Sequence, residues 1–317
     1  MTTIRRRDAL AMLGAAGIFG GSMATAVRAQ TEPTDVIRLG VAAAEVCSEA
    51  FYGVDKGFFR SAGVDVKLEW FTNPGAIGTA IAGNAIDVGL FDTAGLIAAH
   101  SRGIPFVLLA NGKLYMDTDP TFGIIVLADS PVRAAKDVTG TFAVSSVNNI
   151  AALATMVWID RNGGNSKRVK FVELPFPTMI DAVQRRTVDG AVPFEPWLSS
   201  AAHAGLRTIW PTNGIAHTFA GSCWVASRSW SETHSATVTR FIRAIYEAGR
   251  WANHNAEASI PIVAKYTKMA PNIIRGIHRG AFAESLDVAS LQSVIDAAAA
   301  YGMSTKAFPT AEFTYRS

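Results

Sequence analysis

Three carboxylates and one thiol stand at positions suited to binding or chemistry. Glu45, Asp92 and Glu195, together with Cys47, each follow a short run rich in apolar and β-branched residues. In an open α/β sheet, small ligands bind outside the carboxyl ends of such runs. Residues that form hydrogen bonds occupy the same kind of place: Ser48, Asn73 and Thr93 in the first half of the chain, and Ser145, Ser146, Asn148 and Asn149 in the second. Phe194 and Trp197 flank Glu195. Carboxylates at strand ends accept from an amine or an aminopyrimidine, whereas free N–H groups at helix N-termini suit carboxylate, sulfonate or carbonyl oxygens. Both chemistries stay open. Asn73, Thr93, Ser145, Asn148 and Glu195 also suit plain helix caps, with Pro74 and Pro196 at first-turn positions.

Several other chemistries have no signature in the chain. It contains no P-loop, no glycine-rich dinucleotide fingerprint, no HExxH and no G-x-S-x-G elbow. Its six histidines lack metal-ligand spacing, and its two cysteines, Cys47 and Cys223, are too few for a structural zinc site or a disulfide framework. No metal or other cofactor is expected. The first 29 residues read as an export signal, with Arg5, Arg6 and Arg7 ahead of an apolar, glycine-rich run and Val27-Arg28-Ala29 as a cleavage site after Ala29. Arg6-Arg7 also fits the twin-arginine pattern. That segment carries four Arg and one Asp, so the whole chain's net charge of +3 falls to zero in the remainder. A remainder without net charge or a basic run has no footprint for nucleic acid.

The elements that must position these residues alternate. Strand runs at 36–42, 64–70, 86–91 and 104–110 are separated by helical stretches, and runs at 142–146, 169–174, 190–194 and 206–210 repeat the rhythm. This pattern predicts two βαβ-built lobes with parallel sheets. Pro74 and Asp92 are separated by the same 18 residues as Pro177 and Glu195, which places the two carboxylates at matching positions and predicts that they face each other across a cleft. A returning strand at 223–230 and helices at 232–254, 256–268 and 287–301 complete the chain. The expected division is 30–122 and 222–317 for lobe I and 123–221 for lobe II, with crossings near 112–123 and 213–222. Two such crossings make a hinge.

The segments GFFRSAGVDVKLEWF (57–71), AIAGNAIDVGLFDTAGLIAAHSRGIPFVLLA (80–110), the Glu195-Pro196 pair, RFIRAIYEAGRWANHN (240–255) and the stretch at 285–303 resemble the solute-binding proteins of nitrate, sulfonate, taurine and thiamine-pyrimidine ABC importers. The resemblance implies a type 2 periplasmic binding protein fold, a soluble periplasmic monomer, a small-molecule solute and a permease in the inner membrane as partner. It implies a binder and not an enzyme. The alternative it leaves is a cleft-cysteine enzyme resembling the aromatic sulfinate desulfinase, with Cys47 as nucleophile. No neighbouring His follows from the sequence to activate that thiol, and a buried or bridged cysteine is expected.

Overall fold

The computed structural model of the chain describes residues 35–72 and 74–316; the expected export segment lies outside them. The strands of the first half are β1 (Asp35–Val41), β2 (Val64–Trp70), β3 (Val88–Asp92), β4 (Phe106–Asn111), β5 (Lys113–Met116) and β6 (Ile124–Val126). They continue with β7 (Gly140–Val144), β8 (Val169–Glu173), β9 (Gly190–Ala191) and β10 (Arg207–Ile209). The last are β11 (Thr218–Ala220), β12 (Ser222–Ser227) and β13 (Ala281–Phe282).

Two five-stranded sheets form the lobes, in the orders β2-β1-β3-β12-β4 and β8-β7-β9-β6-β10. Position by position the orders are the same. β1 pairs in parallel with β2 and β3, as β7 does with β8 and β9. Each sheet then departs from the all-parallel expectation at one strand. β12 runs antiparallel between β3 and β4, and β6 runs antiparallel between β9 and β10. Both arrive immediately after a crossing between lobes. β6 has no counterpart in the sequence reading, because three consecutive apolar residues carry no periodicity.

Three further expectations are corrected. The run 190–194 is strand only at Gly190–Ala191, since Pro193 has no N–H for a ladder. The run 223–230 leaves the sheet at Ser227, whose hydroxyl caps the helix Arg228–Thr233 by accepting from the Trp230 N–H at 3.2 Å. The helix expected at 232–254 therefore begins at Ser235.

Lobe I depends on the chain's return. All six residues of β12 are buried, as a strand between two neighbours and covered on both faces must be. The helix Ser235–His254 turns one face, including Val238, Phe241, Ala244, Ile245, Ala248 and Ala252, onto lobe I at helical spacing. Phe241 stacks on Phe59 at 5.6 Å and meets Trp224 edge-on at 6.0 Å. Full burial of an aromatic side chain is worth about 2–3 kcal/mol.

The crossings are joined to each other. β5, on the way out, pairs antiparallel with β11, on the way back, and β13 adds to the other edge of β5. His217 and Asp117 pair at 2.7 Å beside this small sheet.

Candidate functional site

A cavity of about 40 Å³ lies between the lobes at the carboxyl ends of the strands. It has room for only a few water molecules. Its apolar wall includes Val46, Ile77, Leu90 and Phe91 from lobe I, and Phe176 and Phe194 from lobe II. The polar groups on that wall are Cys47, Asp92, Ser145, Asn149 and Ser222.

Asp92 joins the two sides. It ends β3 and caps the helix Thr93–Ser101, its carboxylate accepting from the Gly95 N–H at 2.9 Å. Glycine at 95 permits that approach, because a Cβ there would lie 2.8 Å from the carboxylate. The same oxygen accepts from the Ile150 N–H at 2.8 Å, the first turn of the helix Ile150–Arg161 in lobe II. Asn149 caps that second helix, accepting from the Ala152 N–H at 2.8 Å and donating to Ser145 Oγ at 2.8 Å. Burial pushes the Asp92 carboxyl up to about 6, while the backbone N–H groups of Gly95 and Ile150 pull it the other way.

Cys47 closes the lobe I wall, its sulfur accepting from the Ala42 N–H at 3.2 Å. Burial pushes the thiol up to about 12, against the backbone hydrogen bond and helped by Glu45 and Glu49. Both cysteines are free and buried.

The remaining expected site residues fall elsewhere. Glu45 lies behind the cavity, paired with Lys113 Nζ at 2.8 Å, and both are almost completely buried. Ser48 turns to Glu45 at 3.4 Å. The ammonium sits 3.6 Å from the centre of the Phe282 ring, and burial lowers the Lys113 pKa against the pull of Glu45. Beside them Glu49 accepts from the Trp224 indole at 2.8 Å, and burial pushes its carboxyl up to about 8. Glu195 is also off the wall. It accepts from Ser199 N–H at 3.0 Å and Ser199 Oγ at 2.9 Å, in the helix Trp197–His203, and from the His278 N–H at 3.1 Å. Burial raises its pKa. Thr93 is buried and Trp197 half-buried, both outside the cavity wall. Ser146 and Asn148 line an adjoining groove of about 400 Å³ that shares Phe91 and Asp92 with the cavity. Asn73 lies outside the described residues.

Asp92 and Glu195 thus occupy matching places and each reaches the opposite side of the cleft, but at different points. The sequence reading passed over Lys113 and Ser222. A lone cation between Asn111-Gly112 and Leu114-Tyr115, in a run otherwise without charge, was the available sign of a buried pair. Among the described residues no cluster suited to a metal ion occurs, and no helix is long and apolar enough to cross a membrane.

The sequence profile of the NMT1-like family matches residues 30–268. The chain belongs to that family. No curated protein sequence matches this NMT1-like chain. Among solved structures it is similar to the alkanesulfonate-binding protein SsuA from Xanthomonas axonopodis pv. citri bound to MOPS, with 17% identity, 90% of this chain and 99% of the other covered, and a TM-score of 0.77. It is also similar to the periplasmic nitrate-binding protein NrtA from Synechocystis PCC 6803, with 14% identity, 87% and 84% covered, and a TM-score of 0.73. The desulfurization enzyme DSZB is similar at 15% identity, 88% and 96% covered, with a TM-score of 0.63. At such identities the likeness shows the fold, which for this NMT1-like chain is that of the periplasmic binding proteins.

Proposed function

We propose that this chain is the substrate-binding component of an ABC importer. On this reading it is exported, cleaved after Ala29, and works as a periplasmic monomer. It captures a small solute by closing lobe I (30–122 and 222–317) on lobe II (123–221), then delivers it to a permease in the inner membrane. The observation that carries the reading is the cavity itself. Both lobes wall it, and Asp92 of lobe I bonds the first turn of a lobe II helix across it. Closure on a solute needs contacts made from both sides. Cys47, Asp92, Ser145, Asn149 and Phe194 are the proposed contact residues, with Ser146 and Asn148 on the approach. The solute-binding names of the SsuA and NrtA likenesses agree with this role.

The state of Cys47 supports binding over catalysis. A nucleophilic cysteine works as the thiolate, and a thiol pushed up to about 12 holds its proton at neutral pH.

A melting-temperature screen of the mature protein over sulfonates, aromatic carboxylates, nitrate, aminopyrimidines and amines tests the proposal. A bound solute at 100 times its Kd stabilises by about 2.7 kcal/mol. Small-angle scattering should then show a smaller radius of gyration with the solute than without it. The Cys47→Ser variant should keep affinity within about tenfold, roughly 1.4 kcal/mol. Turnover of an aromatic sulfinate that disappears in Cys47→Ser would replace this reading with the enzymatic one.

A further inference from the structure

The charge of the cavity wall bears on what the cleft takes, an inference that rests on the capture role proposed above. Among the described residues no Lys, Arg or His lines the cavity. Its ionisable groups are Asp92 and the protonated Cys47 thiol. Two helix N-termini beside it, those of Thr93–Ser101 and Ile150–Arg161, carry N–H groups suited to an anion, and side chains of the chain itself already take some of them. Asp92 takes the N–H groups of Gly95 and Ile150, and Asn149 takes that of Ala152. Two helix N-termini together amount to about one positive charge, and the Asp92 carboxylate supplies the matching negative one. A solute anion arriving at the same place would meet a like charge and an apolar wall, with no cation to replace its water. Arg102 stands on the adjoining groove, exposed to solvent and outside the cavity, where an ion pair is worth little.

We infer that the cleft selects a small apolar ring compound that is neutral or positively charged and carries a hydrogen-bond donor for Asp92, and that it rejects sulfonates, carboxylates and nitrate. Once the lobes part enough to enlarge the 40 Å³ cavity, Phe91, Phe176 and Phe194 line the place for the ring, and Ser145 and Ser222 stand on the same wall. Such a preference sets this chain apart from the sulfonate- and nitrate-binding proteins whose fold it shares.

Probes of one shape and different charge decide it: benzyl alcohol and benzylamine against benzoate and benzenesulfonate, with taurine and nitrate added. Affinities are measured by calorimetry on the mature protein and on Asp92→Asn. The expected result is that one or both of the first two bind at least tenfold more tightly than every anion. In Asp92→Asn the order should shift toward the anions by at least tenfold, because the amide keeps an acceptor for the N–H groups and removes the charge. An anion binding the unaltered protein as tightly as the alcohol or amine overturns the inference and leaves the capture role standing. Silence from these probes, and from the wider solute screen, in a protein whose circular dichroism shows it folded, would sink both.

Discussion

The two lobes repeat one strand order but differ in what lies behind their strand ends. In lobe I, the end of β1 leads to Glu45, sealed against Lys113, with Glu49 and the Trp224 indole beside it. In lobe II, the end of β7 leads to neutral residues, Ser145 and Asn149, which bond each other. The ion pairs found in lobe II, Arg186–Asp129 and Arg185–Asp181, are on its surface. The matching carboxylates diverge as well. Asp92 stays on the cavity wall, while Glu195 turns to Ser199 and His278. Shared topology fixes where a strand ends. The residues packed behind that end decide whether a charge there meets the solute or the protein.

This contrast should break most visibly at Lys113. Replacing it with Met leaves Glu45 buried without its partner, and the expected loss is about 3–5 kcal/mol in denaturant unfolding. Replacing both partners, Glu45→Leu with Lys113→Met, should recover most of it, since a buried pair gains little over apolar residues of similar volume. Next comes Glu195→Gln, which removes one charge-assisted acceptor from Ser199 and His278 and should cost about 1.5–3 kcal/mol. A loss well under 1 kcal/mol, together with weaker solute binding, would instead return Glu195 to the cavity.

Glu49 sharpens the comparison through pH. Its folded pKa, about 8, exceeds its ordinary 4.5 because burial penalises the charged form. The native state therefore binds the extra proton. The stability this contributes is fully present below about 4.5 and is lost as pH rises through about 8. Asp92 acts with the same sign between 3.8 and about 6. Glu49→Gln should flatten the fall between pH 6 and 8, measured as the denaturation midpoint against pH. The smallest effect belongs to lobe II: Arg186→Ala removes an exposed pair and should cost no more than about 1 kcal/mol.

Much of this was legible in the residues. β2 matches its expected bounds at both ends, and the paired spacing of Pro74 with Asp92 and Pro177 with Glu195 marks two equivalent helices, Pro74–Ala82 and Phe176–Gln184. Five expected site residues, Cys47, Asp92, Ser145, Asn149 and Phe194, come together on one wall. Glu45, Ser48 and Glu195 do not, and local sequence has no means of separating them from the rest. Glu45 is drawn inward by Lys113, 68 residues away, and Glu195 by a backbone N–H 83 residues away. β6 escaped because its register comes from β9 and β10, not from any pattern of its own.

The place of β12 also sets an order of assembly. β4, with sequence FVLLAN, reaches the rest of its sheet only through β12. That partner begins at Ser222, more than a hundred residues after β4 ends at Asn111. During synthesis lobe II, whose five strands all lie between Ile124 and Ile209, can close first. β1, β2 and β3 pair without the return strand, but β4 must wait, apolar and unpaired in the sheet, until the chain has gone out and come back. That interval is when a sticky edge is most open to aggregation. A chaperone guarding the newborn chain would be needed most at residues 106–111, far from the cleft.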